Sequence, residues 1–452
     1  MYCGLEDLPR SRMKHCAYAA AAVLIVLALA LWTGCGDVFR PVANPIPVPT
    51  TDPRNFHIAV VVSQNAVGNP GSGLQIDVSG DSNVGVVNTG QQPLYAALLH
   101  QSSRVFVSNS DGTVTSFLPA ATTGSIGAPS TISLPTGLVP GFLFSTESGT
   151  MYAATTGTSA TCTAPTPGVV AAINSTSLVV DNLICVGLNP KVLTETPDGR
   201  KVYSVNSDGT VSSINTVDKS VNPPVTAPSL PSPVSAVASV DSSEVFVLDA
   251  TGVVWIINTF TDQVTVPPNQ AASPANSLAL DSTHNHLYIT GTGSGSTPAT
   301  LRILDASTPT LSSVTTAPLT LPAGTTPVMV VFLPDGTRAY VLSFTAALSP
   351  IVTVINTTNN AVVSTINLPS AIANPAAVTA CQSPLVHPFS MATAGNSSRL
   401  YVANCFAGNT SIIDTSTNRL VLTMDAPTSA YPVVAGTAFP PPQNPVFVVA
   451  GP

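Results

Sequence analysis

Beyond about residue 55 the chain alternates short apolar runs with polar turns, and the runs recur in groups of four. Three marks keep a fixed order within each group. A proline opens an apolar strand, called strand a, at Pro93, Pro140, Pro190, Pro233, Pro274, Pro327, Pro388 and Pro432; at a strand's first residue a missing ladder donor costs little. About a dozen or more residues later an aromatic sits among β-branched or aliphatic neighbours and marks strand b, at Phe106, Tyr152, Tyr203, Phe246, Tyr288, Tyr340, Tyr401 and Phe447. Strand c ends in an apolar residue followed by Asn or Asp, at Asp77, Asn174, Asn215, Asn258, Asp305, Asn356 and Asp414, where a short side chain satisfies backbone donors as pairing stops. Strand d is a short apolar run, as in Ala361 to Ile366 and Leu420 to Met424.

Turn chemistry fits these positions. Pro197-Asp198-Gly199 and Pro334-Asp335-Gly336 fall between strands a and b, and Asp111-Gly112 and Asp208-Gly209 between b and c. The units are therefore antiparallel meanders. Their marker prolines stand roughly 40 to 60 residues apart, which fits the blades of a propeller and is too long for leucine-rich or ankyrin units. The predicted fold is all-β: a single β-propeller of four-stranded antiparallel blades, eight in number. Ring closure is predicted as a strand exchange, with Pro432 and Phe447 marking strands a and b of the last blade and residues 74–77 and 84–87 giving c and d. Phe56 to Val62 also reads as a strand and competes with Pro445 to Val449 for slot b, which leaves seven blades with extra edge strands as the alternative.

The segments from Pro334 to Pro369 and from Asn396 to Pro427, with Tyr401-Val402-Ala403-Asn404 at the centre of the second, resemble the YVTN-repeat β-propeller family. The resemblance extends over most of the chain after residue 54 and is weaker in the first half, where Phe117-Leu118 replaces the apolar-Asx pair. Insertions from Thr155 to Pro167 and Gly291 to Pro298 also depart from the pattern. Similarity to this family implies an extracytoplasmic propeller, often seven-bladed, and no fixed activity.

Composition narrows the partners. Hydrophobic residues form 44% of the chain and charged ones only 8%, against roughly 25% charged in globular domains, which excludes a charge-driven disordered chain. With 14 Lys+Arg against 22 Asp+Glu and no basic cluster beyond the first fifteen residues, nucleic acid is excluded as a partner.

The first residues have the layout of an export signal. Arg10, Arg12 and Lys14 precede an uncharged run from Ala17 to Trp32, too short at ~1.5 Å per helical residue to cross a ~30 Å hydrocarbon core. It ends in Leu31-Trp32-Thr33-Gly34-Cys35, which resembles a lipobox; residues 1–34 read as a signal peptide and Cys35 as the lipidated first mature residue. An ordinary cleaved signal and an uncleaved anchor are the alternatives. Residues 35–54 form a Pro-rich spacer and 55–452 the propeller. Of the seven cysteines, Cys3 and Cys16 leave with the signal. The remaining four, in an oxidising compartment, are predicted to pair as Cys162 with Cys185 and Cys381 with Cys405, each closing a loop inside one repeat; four buried free thiols are the alternative.

Motifs for reaction chemistry are sparse, and no metal or cofactor is assigned. His284 and His286 form a His-x-His in the turn before Tyr288, without a third ligand. Asp77, Asp81 and Asn83 offer oxygens in a spacing that fits turns better than calcium. Glu195 on strand a is a lone carboxylate near the axial channel. One set is gathered by the fold itself: Gln92, Asn189, Ser232, Ser273, Thr326, His387 and Tyr431 precede marker prolines, in connections that converge on one mouth of the channel. Such uncharged donors and acceptors suit a neutral ligand, a glycan or peptide backbone; the plainer reading is that residues before proline are simply extended and exposed. The expectation is a monomeric, non-enzymatic envelope lipoprotein that binds protein or glycan, with a lactonase-like propeller hydrolase and a purely structural component as alternatives.

Overall fold

The computed structural model describes residues 58–451 apart from 66–67, 100–103, 121–125, 147, 223–231, 268–273, 294–297, 309, 370–380, 382–388 and 426–443. The signal segment, Cys35, the spacer, Ser273, His387, Pro388, Tyr431 and Pro432 lie outside the described residues.

Eight antiparallel sheets form the ring. Blade 1 holds β4 (Pro93–Leu98), β5 (Val105–Asn109), β6 (Thr113–Phe117) and β7 (Ser130–Ser133); blade 2 holds β8 (Leu138–Ser145), β9 (Thr150–Gly157), β10 (Gly168–Asn174) and β11 (Val179–Val186). Blade 3 has β12 (Pro190–Glu195), β13 (Lys201–Asn206) and β14 (Val211–Asn215), and a single bridge between Ile214 and Val221 stands where its fourth strand would pair. Blade 4 comprises β15 (Pro233–Ala238), β16 (Glu244–Asp249), β17 (Val254–Asn258) and β18 (Gln263–Thr265), and blade 5 comprises β19 (Ala275–Asp281), β20 (His286–Gly291), β21 (Thr300–Asp305) and β22 (Leu319–Thr320). Blade 6 is β23 (Thr325–Phe332), β24 (Arg338–Thr345), β25 (Pro350–Asn356) and β26 (Ala361–Asn367), and blade 7 is β27 (Phe389–Thr393), β28 (Arg399–Asn404), β29 (Asn409–Asp414) and β30 (Arg419–Asp425). The strand-a elements β4, β8, β12, β15, β19, β23, β27 and β31 (Asn444–Ala450) touch one another in a closed cycle, which makes them the inner wall.

Blade 8 closes the ring, but not with the predicted division of strands. Its order is β31, β1 (Ile58–Gln64), β2 (Pro70–Asp77) and β3 (Ser82–Gln91). The carboxyl end supplies only strand a and the amino end supplies the other three. Phe447 therefore sits on strand a, and Pro445 rather than Pro432 marks its opening. The described part of the competing run, from Ile58 on, takes slot b because β1 pairs on one side with β31 and on the other with β2. Pro140 and Pro327 likewise lie two residues inside their strands instead of opening them.

The other strand-b aromatics are buried as the pattern predicts, and they form a repeated seam between blades. Apart from that of blade 1, which ends in Phe117, each strand c ends in its Asx, whose side-chain oxygen accepts backbone N–H groups two or three residues on, as Asn215 does from Val217 and Asp218. Four residues beyond the Asx the chain usually turns left-handed, at Asp81, Leu178, Lys219, Asp262, Asn360 and Asn418, and in the longer turn of blade 5 it does so at Leu311. In six of the seven that residue meets the strand-b aromatic of the preceding blade; at the seventh Asp81 is bound by Arg399, and the Tyr401 hydroxyl is buried with no hydrogen bond to a described residue. Tyr203 donates to Asp262 at 2.5 Å, Tyr288 to Asn360 at 2.7 Å and Tyr340 to Asn418 at 3.2 Å, while Lys219 donates to the Tyr152 oxygen at 2.8 Å. Where strand b carries Phe106 or Phe246 instead, the matching residue is Leu178 or Leu311, in the same apolar cluster. A phenol calls for a polar partner and a phenyl ring does not.

Candidate functional site

The d-to-a connections and the b-to-c turns share one end of the blades, the mouth; the a-to-b and c-to-d turns share the other, the base. At the mouth, Gln92, Asn189 and Ser232 each adopt left-handed backbone, with φ of 48°, 47° and 46°. This overturns the extended reading for these three. Thr326, inside β23, is the described member that remains in a strand.

A built corner imposes the unusual geometry. The carbonyls of Gln92, Asn189 and Ser232 accept from the N–H of Ser110, Ser207 and Ala250, just past strand b. In blades 1 and 3 the preceding residue is clamped as well. Gln91 N–H donates to Asp111 Oδ2 at 2.8 Å, and Leu188 N–H to Asp208 Oδ2 at 2.7 Å. The other oxygen of each carboxylate accepts from the backbone and hydroxyl of Thr113 or Thr210. The corner is spelled twice, as Asn109-Ser110-Asp111-Gly112-Thr113 and Asn206-Ser207-Asp208-Gly209-Thr210. Sequence reading found its Asp-Gly turns but missed the identical five-residue frame, which was the available signal.

Side chains at these positions diverge. Asn189 and Ser232 are exposed, whereas Gln92 is half-buried and donates its Nε2 to the Asn65 carbonyl at 2.6 Å. A second set was not anticipated. Ladder register slips just after the first proline of β4, β8, β12, β15, β23 and β31, and at the matching point of β19. A bulge of this kind re-aims a side chain. Gly141, Lys191, Val234, Asn276 and Val328 occupy these bulges half-exposed, while Leu94 and Val446 are buried. Lys191 is the charged member of the set. Asn276 donates to the Pro327 carbonyl of the next blade at 2.9 Å.

Both disulfides pin loops at the mouth. Cys162, in the b-to-c connection of blade 2, bonds Cys185 on β11 with 5.3 Å between Cα atoms; Cys381 bonds Cys405 at 5.8 Å. The second differs from the within-repeat loop predicted, since Cys381 lies in the connection from blade 6 to blade 7.

The remaining candidates are absorbed by local structure at the base. His284 Nδ1 lies 2.7 Å from Asp281 Oδ2, and the His286 ring stacks beside it at 5.9 Å. His286 opens β20 rather than lying in the turn, and burial lowers its pKa. Asp77 accepts from Ser79, and Asp81 pairs with Arg399 at 3.0 Å, so these oxygens are already engaged. Glu195 is buried at the end of β12, where its charge acts on Tyr152 and Lys219 in the seam between blades 2 and 3. Among the described residues no three His, Cys, Asp or Glu side chains gather as a metal-binding group.

Comparisons with solved structures support the architecture. Apo AztD from Citrobacter koseri superposes with a TM-score of 0.56 at 13% identity, covering 87% of this chain and 98% of that one. The C-terminal WD40 domain of Sif2 gives a TM-score of 0.55 at 11% identity, covering 73% and 84% of the two chains. No protein-family model and no curated protein sequence matches the chain. At such identities the likeness is one of fold: this chain is a β-propeller.

Proposed function

We propose that the protein is a non-enzymatic, lipid-anchored propeller of the cell envelope, related to the YVTN-repeat proteins, whose mouth end binds a protein or glycan. The observation that carries this reading is the fixed construction of that end. Left-handed corners hold Asn189 and Ser232 outward, bulges place Lys191 and Asn276 on the inner wall, and two disulfides tie down the loops. Preorganised polar groups lose little entropy on binding. The disulfides also fit an oxidising compartment, in agreement with the export signal and the lipobox-like Cys35. A lactonase-like hydrolase would require converging carboxylates at the mouth, and those described are committed to turns and seams.

The test compares wild type with a variant carrying Asn189→Gly, Lys191→Ala and Ser232→Gly, the two glycines preserving the backbone. Full-length protein is used against a glycan array and against envelope extract, with captured molecules identified by mass spectrometry. A ligand held by wild type and weakened about tenfold or more in the variant supports the mouth. Equal binding by both proteins removes it, and turnover of a small molecule reinstates the hydrolase.

A further inference from the structure

The base end carries an apolar patch that the fold does not need. In the c-to-d turn of blade 4, Phe260 is 93% exposed, and in the same turn of blade 3 Val217 is 89% exposed. Val240, in the a-to-b turn of blade 4, adds a third apolar tip at 41%. The turn itself does not call for such residues, since the position two beyond the Asx is Ser79, Thr176, Thr358 or Ser416 elsewhere. The tips are also held in place: Asn258 Oδ1 accepts from the N–H of Phe260 and Thr261, and Asn215 Oδ1 from that of Val217. Asp198 N–H donates to Ser242 Oγ, joining the a-to-b turns of the two blades beside them.

The described chain enters the propeller at this same end. β1 is a strand b and runs from base to mouth, so Ile58 begins among the base turns. Between Cys35 and Ile58 lies the Pro-rich spacer, which at ~3.1 Å per residue in an extended form leaves the base within reach of a lipid anchor. We infer that the base of blades 3 and 4 rests on the bilayer, with Phe260 and Val217 dipping into its interfacial layer. The inference rests on the lipid-anchored reading proposed above. Charge does not drive it: Arg200 is exposed beside Asp198, and Asp218 and Asp241 share the surface. Attachment through apolar tips on a surface of mixed charge fits a zwitterionic bilayer and is insensitive to salt.

The experiment uses the full-length Phe260→Trp protein, reconstituted with phosphatidylcholine vesicles and read against wild type as the blank for the native tryptophans. Flotation reports the anchor, and quenching by brominated acyl chains reports the tip. Expected are flotation, a blue-shifted emission from the introduced indole, quenching that persists in high salt, and loss of the blue shift on adding Val217→Asp. A chain that floats without quenching overturns the orientation and leaves the anchor standing. A chain that is not lipidated yet is quenched supports the patch and removes the anchor, and one that neither floats nor is quenched overturns both.

Discussion

The Tyr203 hydroxyl of blade 3 reaches across the seam to the Asp262 carboxylate of blade 4 at 2.5 Å, and Lys201 Nζ binds the same carboxylate at 2.9 Å. Asn222 adds a third donor at 3.1 Å. Desolvation, then the bond to Asp262, push the Tyr203 phenol well above its usual range. Tyr203→Phe is expected to cost about 1–2 kcal/mol, because Asp262 keeps two partners. Asp262→Leu is expected to cost about 3 kcal/mol, because it removes the counter-ion of Lys201 and the main acceptor of Tyr203 together, leaving the two donors only the Thr259 carbonyl. The double variant should fall short of the sum by about 1 kcal/mol, as coupled neighbours do. Urea unfolding of the four proteins measures this; strict additivity would mean that the contact is not energetically shared.

The same seam marks what could be read from the chain. Strand-b aromatics and strand-c Asx residues were legible because each acts locally, one by filling a half-buried pleat and the other by satisfying the next turn. The partnership of the aromatic with the residue four beyond the Asx was not, because Tyr203 and Asp262 meet only once the blades are set side by side. Phe447 was misassigned for a related reason. The run Pro445-Val446-Phe447-Val448 matches both slots, and which one it takes is decided by β1 at the other end of the chain. The left-handed Asn189 escaped notice because residues before proline favour extended backbone, and the bonds that override that preference, from Ser207 to its carbonyl and from Leu188 to Asp208, join it to a turn nearly twenty residues on.

Gly187, between blades 2 and 3, is expected to tolerate no side chain. A Cβ there would lie 1.9 Å from Thr210 Oγ1 and 2.5 Å from Asn206 Nδ2. Neither atom is free to withdraw, since Thr210 is held by Asp208 at 2.6 Å and Asn206 bonds both Thr210 and Ser212. Gly187→Ala should lose about 2–3 kcal/mol. Gly141→Ala serves as the control, its nearest atom being the Ala154 carbonyl at 3.7 Å, and should stay within about 0.5 kcal/mol of wild type. Equal midpoints for the two variants in denaturant would contradict the clamp.

The disulfides close chain separations of 23 and 24 residues. Loops of that length are expected to contribute about 3 kcal/mol each by limiting the unfolded chain. Replacing Cys162 and Cys185 together by Ser should lower stability by that order, and adding a reductant to wild type should reproduce the loss. Replacing both pairs should give nearly the sum, because they lie on separate blades. Unfolding curves with and without reductant decide it; a wild type indifferent to reductant while both bonds are demonstrably open would set their contribution to zero.

Acid should loosen the β28–β29 edge of blade 7 through Asp414. Its carboxylate accepts from Ser416 and Thr417 and faces Arg399 at 3.0 Å, and these contacts, the Ser416 hydroxyl first, lower its pKa to about 2. An unfolded Asp titrates near ~3.9. The folded value is the lower one, so the ionised group stabilises the protein fully above roughly pH 4, and that contribution drains away as pH falls towards 2. Asp414→Asn keeps an oxygen for Ser416 and Thr417 but loses the attraction to Arg399, which Asp81 still holds through Nε at 3.0 Å. The variant should therefore be weaker than wild type by about 1 kcal/mol at pH 7, a modest figure because solvent near the carboxylate screens the pair. It should approach wild type by pH 2.5. Denaturant midpoints at pH 7, 4 and 2.5 test the sign, and a gap between the two proteins that widens as the solution is acidified would show that Asp414 stabilises the protein by something other than its charge.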